Sequence, residues 1–383
     1  MFIVYTILLG IIMGIITTIF GTVLISVSNY RDMHKEIIFL LPIIGAVTYY
    51  MYSKYAPRLK KGMNLVQLSY KTENEHIDNK LIPFITISTW LTHLFGASAG
   101  REGVAVQIGA SFSNMTYRKF GINKHEAMLA GMGAGFAGLF GTPLAAMIFP
   151  IEIMFNHKEK KLSYQGIFMI VFASLIASYT SSYLGLYHFK YIINEIYNFN
   201  IKTLLVVIFA SLMFSIAAII FTKTIKFLKP YLSKNIYMVF ILSILLAFAI
   251  YFVDNARYAG LGTNLIYESF KNNGISINNY DFLLKIIFTC FTLSLSYQGG
   301  EVTPLFAIGA SLGAMIAMYF GIPVYLLASI GYAVVFSAAS NTLITPILIG
   351  YEVFGINILP YLIIASICAY FASGNNSIYP NKK

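Results

Sequence analysis

Two carboxylates in this chain stand where chemistry would put a charged gate. The first lies in Ala99-Gly100-Arg101-Glu102-Gly103-Val104, the second in Gly299-Gly300-Glu301-Val302-Thr303-Pro304. Both segments run into the same text, Ile108-Gly109-Ala110-Ser111 and Ile308-Gly309-Ala310-Ser311. A glycine turn that opens a helix presents unpaired N–H groups and a positive dipole end, which suit an anion. A carboxylate at that place competes with the anion when ionised and carries a proton when neutral. Inside an apolar segment such an acid is a functional candidate by default.

The elements that must position these acids are apolar helices. The chain is 58% hydrophobic and 11% charged, against about 25% charged in a soluble domain. Residues 1–30, 81–100, 203–222, 235–253, 302–351 and 353–381 hold no Asp, Glu, Lys or Arg, and a spanning helix needs roughly 20 apolar residues. The expectation is an all-α polytopic membrane protein in a lipid bilayer, with no soluble regulatory domain. The apolar N-terminus is too long for a cleaved signal peptide and reads as the first span. The net charge of +11 does not call for a nucleic-acid partner, because the cations sit in short loops such as Lys54, Arg58, Lys60 and Lys61, as the positive-inside rule expects. Cys290 and Cys368 lie in apolar segments and read as small buried hydrophobes.

An offset of 200 residues recurs along the chain. Gly62-Met63-Asn64-Leu65-Val66 is echoed by Gly262-Thr263-Asn264-Leu265-Ile266, and Gly131, Phe136, Thr142 and Glu152 by Gly331, Phe336, Thr342 and Glu352. Two repeats follow, 1–190 and 191–383, joined by the polar stretch 188–202. The loop 53–61 carries four cations and no acid, whereas 253–261 carries Asp254 and Arg257. Equivalent loops on opposite faces make the repeat inverted and put the site between its halves. Glycines, Pro143 and Pro150 within 127–157, and Gly321, Pro323, Asn341 and Pro346 within 302–351, predict short, tilted or discontinuous helices lining a protein-enclosed path.

Taken together, Gly100-Arg101-Glu102-Gly103, Gly300-Glu301-Val302-Thr303-Pro304, and Pro143-Leu144-Ala145-Ala146 through Glu152 resemble the CLC family of anion channels and proton-coupled anion exchangers. The resemblance implies a homodimer with an anion path in each subunit. Where chloride-handling members carry a hydroxyl in the first motif, this chain has Met63. The usual aromatic of Gly-x-Phe-x-Pro is Val302, with Glu301 added, and Val104 replaces the proline after the first filter motif. Tyr379, in Ser373-Gly374-Asn375-Asn376-Ser377-Ile378-Tyr379-Pro380, matches the place of the family's central tyrosine. This combination is similar to the fluoride/proton antiporter branch. The second internal acid of many chloride exchangers is Ile153 here.

Each candidate has a plainer alternative. Glu102 could be a structural acid paired with Arg101, but adjacent side chains at a helix start are expected to point apart; the resemblance makes it the gating and proton-carrying glutamate. Glu301 is a candidate proton relay or a capping acid. Met63, Asn64, Gly103, Val104, Val302, Thr303 and Tyr379 are the candidate anion-binding residues, against packing for Met63 and an interfacial role for Tyr379. Glu152 and Glu352 are expected to cap or pair, each within its own half, His93 to be a satisfied core histidine and Trp90 to pack. No cofactor is expected, and no metal site such as H-E-x-x-H. An intramembrane enzyme would need a paired nucleophile and base, and none is expected. The function expected is export of fluoride in exchange for protons across a bacterial inner membrane, conferring fluoride resistance. The alternative is a chloride/proton exchanger or passive chloride channel.

Overall fold

The computed structural model describes residues 1–72, 75–154, 162–197 and 200–379. Residues 155–157, 198–199 and Pro380, which belong to stretches singled out in the sequence, lie outside them. Among the described residues there are sixteen α-helices and no strand. The first eight are α1 Phe2–Met33, α2 Leu41–Tyr55, α3 Met63–Lys71, α4 Leu81–Leu94, α5 Glu102–Thr116, α6 Lys124–Phe140, α7 Pro143–Met154 and α8 Tyr164–Tyr183. The second eight are α9 Ile201–Leu232, α10 Ile236–Phe252, α11 Thr263–Phe270, α12 Asp281–Ser294, α13 Val302–Phe320, α14 Val324–Ser340, α15 Ile344–Phe354 and α16 Leu359–Ser373. Helices α3, α4 and α6 begin 200 residues before α11, α12 and α14.

Six described helices or continuous helical stretches, among them α1, α9 and α13, are long and apolar enough to cross a bilayer. Others are not: α7 has 12 residues and α15 has 11, each under 20 Å at 1.5 Å per residue. The breaks have local causes. Gly141 ends α6 in the left-handed region at φ 76°, and Pro143 starts α7. Asn341 does the same after α14 at φ 56°, the other residue type that tolerates this cap. On α1, Ile3, Ile7, Ile11, Ile15 and Ile19 form an exposed apolar stripe, which lipid rather than water would solvate.

Small residues bring the central helices into backbone contact. A Cβ on Gly109 of α5 would fall 1.9 Å from the carbonyl oxygen of Gly131 on α6. In the second half a Cβ on Gly309 of α13 would fall 1.9 Å from that of Gly331 on α14. The two helix crossings are therefore built from the same glycine pair, 200 residues apart. Helices pressed this closely fix the direction of everything at their N-termini, where the acids lie.

This close approach ranks glycine substitutions. Gly309→Ala should cost about 3 kcal/mol, the upper range for overpacking. Gly121→Ala meets no atom within 4 Å and only a left-handed φ of +62°, so it should cost about 1 kcal/mol. Thermal unfolding in detergent checks the order, and equal costs would contradict the packing account.

Candidate functional site

The two glycine turns meet. Gly100 N–H donates to the Gly300 carbonyl at 2.6 Å and Gly300 N–H to the Gly100 carbonyl at 2.7 Å, an isolated antiparallel bridge between the halves. Side chains would prevent it, since a Cβ on Gly100 would lie 2.8 Å from Pro304 Cδ and one on Gly299 2.5 Å from Ala99 Cβ. Helices α5 and α13 start within two residues of this bridge. Their first-turn N–H groups have no intrahelical acceptor, so two positive helix ends converge on one place.

Glu102, the first residue of α5, is buried at 1% exposure. Its carboxylate accepts a hydrogen bond from the hydroxyl of Thr303, one residue into α13, and one from its neighbour's backbone, Arg101 N–H, at 3.3 Å. The expectation that Arg101 and Glu102 point apart is wrong: Arg101 Nε stands 3.5 Å from Glu102 Oε1. Arg101 is the residue before the helix, with φ −131° and ψ −24°, and this non-helical backbone turns its side chain back over the first turn. Its Nε and one terminal nitrogen are buried and make no hydrogen bond among the described residues. Arg101, Glu102, Thr303 and Tyr332 line a cavity of about 530 Å³, whose wall continues through Asn264 to Arg257 and Lys35.

Glu301 lies on another side of the bridge. It is half-buried and precedes α13 as its N-cap. Its Oε2 comes within 3.4 Å of where a Cβ on Gly103 would be, so the acid lies over the start of α5. The charge of Lys229 reaches it. The two acids thus reach across the repeat boundary in both directions, Glu102 to α13 and Glu301 to α5.

Gly103, Val104, Val302 and Thr303 are buried at the two helix starts. Tyr379 is also buried, with its ring edge-on to Phe149 at 5.8 Å, and its hydroxyl has no hydrogen-bond partner among the described residues. A bond from Ile378 N–H to the Ala339 carbonyl, 2.7 Å, ties this segment to the end of α14. Met63 and Asn64 open α3. Met63 is half-buried against the core, Asn64 is exposed, and no hydrogen bond joins Asn64 to the other candidates among the described residues. Gln107 stands between the groups: it donates to the Gly103 carbonyl at 3.2 Å, and its buried Oε1, without a donor, lies 3.7 Å from a Cβ position on Gly62.

The sequence reading set Arg101 aside and missed Gln107 and Tyr332. A signal existed for Gln107, an amide five residues beyond Glu102 in an apolar helix. Tyr332 gave none in a chain with 28 tyrosines. It also expected no nucleophile-elbow spacing, yet Gly96-Ala97-Ser98-Ala99-Gly100 has it. Ser98 is fully buried, its hydroxyl bonded to Thr289 at 2.8 Å and to Lys285 Nζ at 2.8 Å, and it does not line the cavity.

Glu152 and Glu352 correct another expectation. Neither serves its own half. Glu152 accepts from the N–H groups of Leu343, Ile344 and Thr345 at 2.8, 2.9 and 2.7 Å, and from the Thr345 hydroxyl. Glu352 accepts from Leu144 and Ala145 N–H at 2.9 and 3.0 Å. Each acid caps the opposite half's short helix, because α7 and α15 pack against each other and each acid meets the other's N-terminus. Ile153 beside Glu152 is buried in the core. His93 has ring nitrogens 2.9 and 3.1 Å from the Thr89 and Ala99 carbonyls, and Trp90 donates to the Phe20 carbonyl at 3.0 Å.

Comparisons with known proteins bear on the family and the fold. A family model for the voltage gated chloride channel matches residues 44–374. A chloride/fluoride channel protein of Pseudomonas syringae pv. tomato is 32% identical over 385 residues, covering 97% of this chain and 84% of the relative. The crystal structure of a CLC-type fluoride/proton antiporter superposes with a TM-score of 0.93 at 40% identity, over 99% of this chain and 96% of that one. A slow cyanobacterial Cl⁻/H⁺ antiporter gives a TM-score of 0.86 at 17% identity, over 99% and 96%, a likeness of fold alone.

The crossed caps carry their own prediction. Glu152→Ala leaves three N–H groups at the start of α15 without an acceptor and should lower stability by about 2 kcal/mol, the upper end of cap losses. Glu352→Ala removes two bonds and should cost less. Unfolding midpoints of both variants, measured in one detergent, test the ranking.

Proposed function

This chain belongs to the voltage gated chloride channel family, with its all-α, inverted-repeat membrane fold, and we propose that it exports fluoride from the cytoplasm in exchange for protons. The observation that carries this reading is the hydrogen bond from Thr303 to Glu102 where two positive helix ends meet. A hydroxyl that donates to a carboxylate there can donate to a small anion in its place. Ionised, Glu102 occupies the path and takes the donors. Fluoride displaces it, and the displaced carboxyl picks up a proton and carries it the other way.

Fluoride is small and strongly hydrated, so its dehydration calls for several strong donors. The Val302 N–H, the Thr303 hydroxyl and the Tyr379 hydroxyl are the donors we assign, with Gly103 and Val104 supplying the facing helix end. Met63 shapes the entry without ligating, since a thioether is a weak acceptor and no donor; Asn64 is exposed and would act there as well. Glu301 takes the part of the acid missing at Ile153, passing protons toward Glu102. The similarity to a solved fluoride/proton antiporter at 40% identity supports fluoride as cargo. We place the protein in a bacterial inner membrane as a homodimer, each subunit made of repeats 1–190 and 191–383 with its own path, and take fluoride resistance as its role. The chloride/fluoride channel relative keeps chloride as the second reading, to be separated by experiment.

In liposomes, fluoride should leave much faster than chloride, and protons should move against it. Equal rates, or faster chloride release, would overturn the fluoride assignment. Met63→Ser adds a donor and should relax the discrimination by about 1 kcal/mol, roughly fivefold.

The two acids separate by substitution. Glu102→Gln keeps the shape but cannot ionise, and should abolish fluoride-driven proton movement while fluoride flux stops or runs uncoupled. Glu301→Gln should lower coupling if the acid relays protons; a loss of folded yield instead would mark it as an anchor. A pH electrode during fluoride efflux reads both, and normal coupling in Glu102→Gln would refute the mechanism.

A further inference from the structure

The cavity wall beside Glu102 holds a second hydroxyl. Tyr332, on α14, is 1% exposed and lines the cavity together with Glu102 and Thr303. The Gly309–Gly331 contact places it, because Gly331 is its neighbour and lets α14 lie against α13. Phe306, one turn beyond Thr303 on α13, stacks on the Tyr332 ring at 4.1 Å and 11°. Phe354 meets the same ring edge-on at 5.2 Å. Residues three apart on a helix share a face, so Thr303 and the Tyr332 ring occupy adjacent turns of one surface. The stacked ring leaves the hydroxyl as its polar end, and that hydroxyl makes no hydrogen bond among the described residues. The ionisable groups whose charges reach it are Glu102, Arg101 and Tyr267.

We propose that Tyr332 is a positioning residue for Glu102: its hydroxyl receives the carboxyl when the carboxyl leaves Thr303 for the cavity. A carboxyl leaving a hydrogen bond in a water-poor site needs another partner. Arg101 can only donate, so it cannot accept the O–H of the neutral acid. A phenol hydroxyl donates to the carboxylate and accepts from the neutral acid, so it serves the group before and after protonation. The hydroxyl belongs to one repeat only, since the residue 200 positions earlier is Met132. Glu102 thereby has two stations on α13 and α14, Thr303 within the helix-end site and Tyr332 toward the cavity.

This inference rests on Glu102 as the proton carrier, and the test keeps the two apart. Wild type and Tyr332→Phe are reconstituted in parallel, and fluoride and proton fluxes are followed over a range of fluoride concentrations. Tyr332→Phe keeps every ring contact. Its maximal coupled flux should fall on the order of tenfold, the worth of one hydrogen bond to a charged group, with the fluoride KM unchanged, because the lost contact is to the carboxyl and not to the ion. Unchanged flux would overturn the proposal. A raised KM at unchanged maximal flux would also overturn it, by making Tyr332 an anion contact. A variant that fails to fold would show the hydroxyl to be structural and overturn it too. If wild type itself moves no protons with fluoride, the reading of Glu102 fails instead.

Discussion

Backbone groups at membrane depth have no water to satisfy them, and the structure is organised around that constraint. Short helices expose four N–H groups at each start, and each unsatisfied group in hydrocarbon costs several kcal/mol. Here the starts of α5 and α13 are buried, and those of α7 and α15 are partly exposed at Leu144 and Ile344. The crossed glutamates Glu152 and Glu352 satisfy two of them with carboxyl oxygens from the opposite half. The starts of α5 and α13 are treated differently. The glycine turns leading to them pair with each other at Gly100 and Gly300, and the side chains that approach them are the acids Glu102 and Glu301. One pair of helix ends is capped by glutamates of the opposite half, and in the proposed function the other pair takes an exchangeable anion.

Glycine makes the second arrangement available. The bridge needs backbones closer than any side chain allows, and the crossings at Gly109–Gly131 and Gly309–Gly331 hold the helices behind it rigid. A carboxylate that must leave and return to one position gains from such a frame, because the donors do not have to reorganise when the occupant changes. The aromatic clamp of Phe306 and Phe354 on Tyr332 extends the same stiffness to the cavity wall.

Much of this was legible in the residues. The 200-residue offset exposed the repeat, and the charge-free stretches exposed the membrane. Glycine next to an acid in apolar text pointed to Glu102 and Glu301. What could not be read were partners across the repeat boundary. Capping by Glu152 and Glu352 is a local idea when applied to a sequence, and each acid looked as if it belonged to its own helix; only the packing of α7 on α15 carries it over. Arg101 was misjudged because its residue lies just outside the helix, where the backbone angle rather than the helical period aims the side chain. Tyr332 was invisible because its meaning comes from Phe306 and the glycine beside it, not from its own position in a motif.

An inverted repeat with identical side chains would offer the same chemistry to both faces of the membrane. This chain keeps the symmetry in its backbone and breaks it in its side chains. At matching positions Arg101 faces Glu301, Glu102 faces Val302, Gly103 faces Thr303, Met63 faces Thr263 and Met132 faces Tyr332. The symmetric part, one glycine bridge and two glycine crossings, makes a meeting point of helix ends. The asymmetric part gives the cavity side an acid, a cation and two hydroxyls, and leaves the other side an acid over a bare glycine. The proposed exchange of unlike ions in opposite directions needs the acid to find different partners as it faces one way and the other. Substituting side chains on a symmetric frame achieves that without disturbing the backbone pairing that holds the halves together.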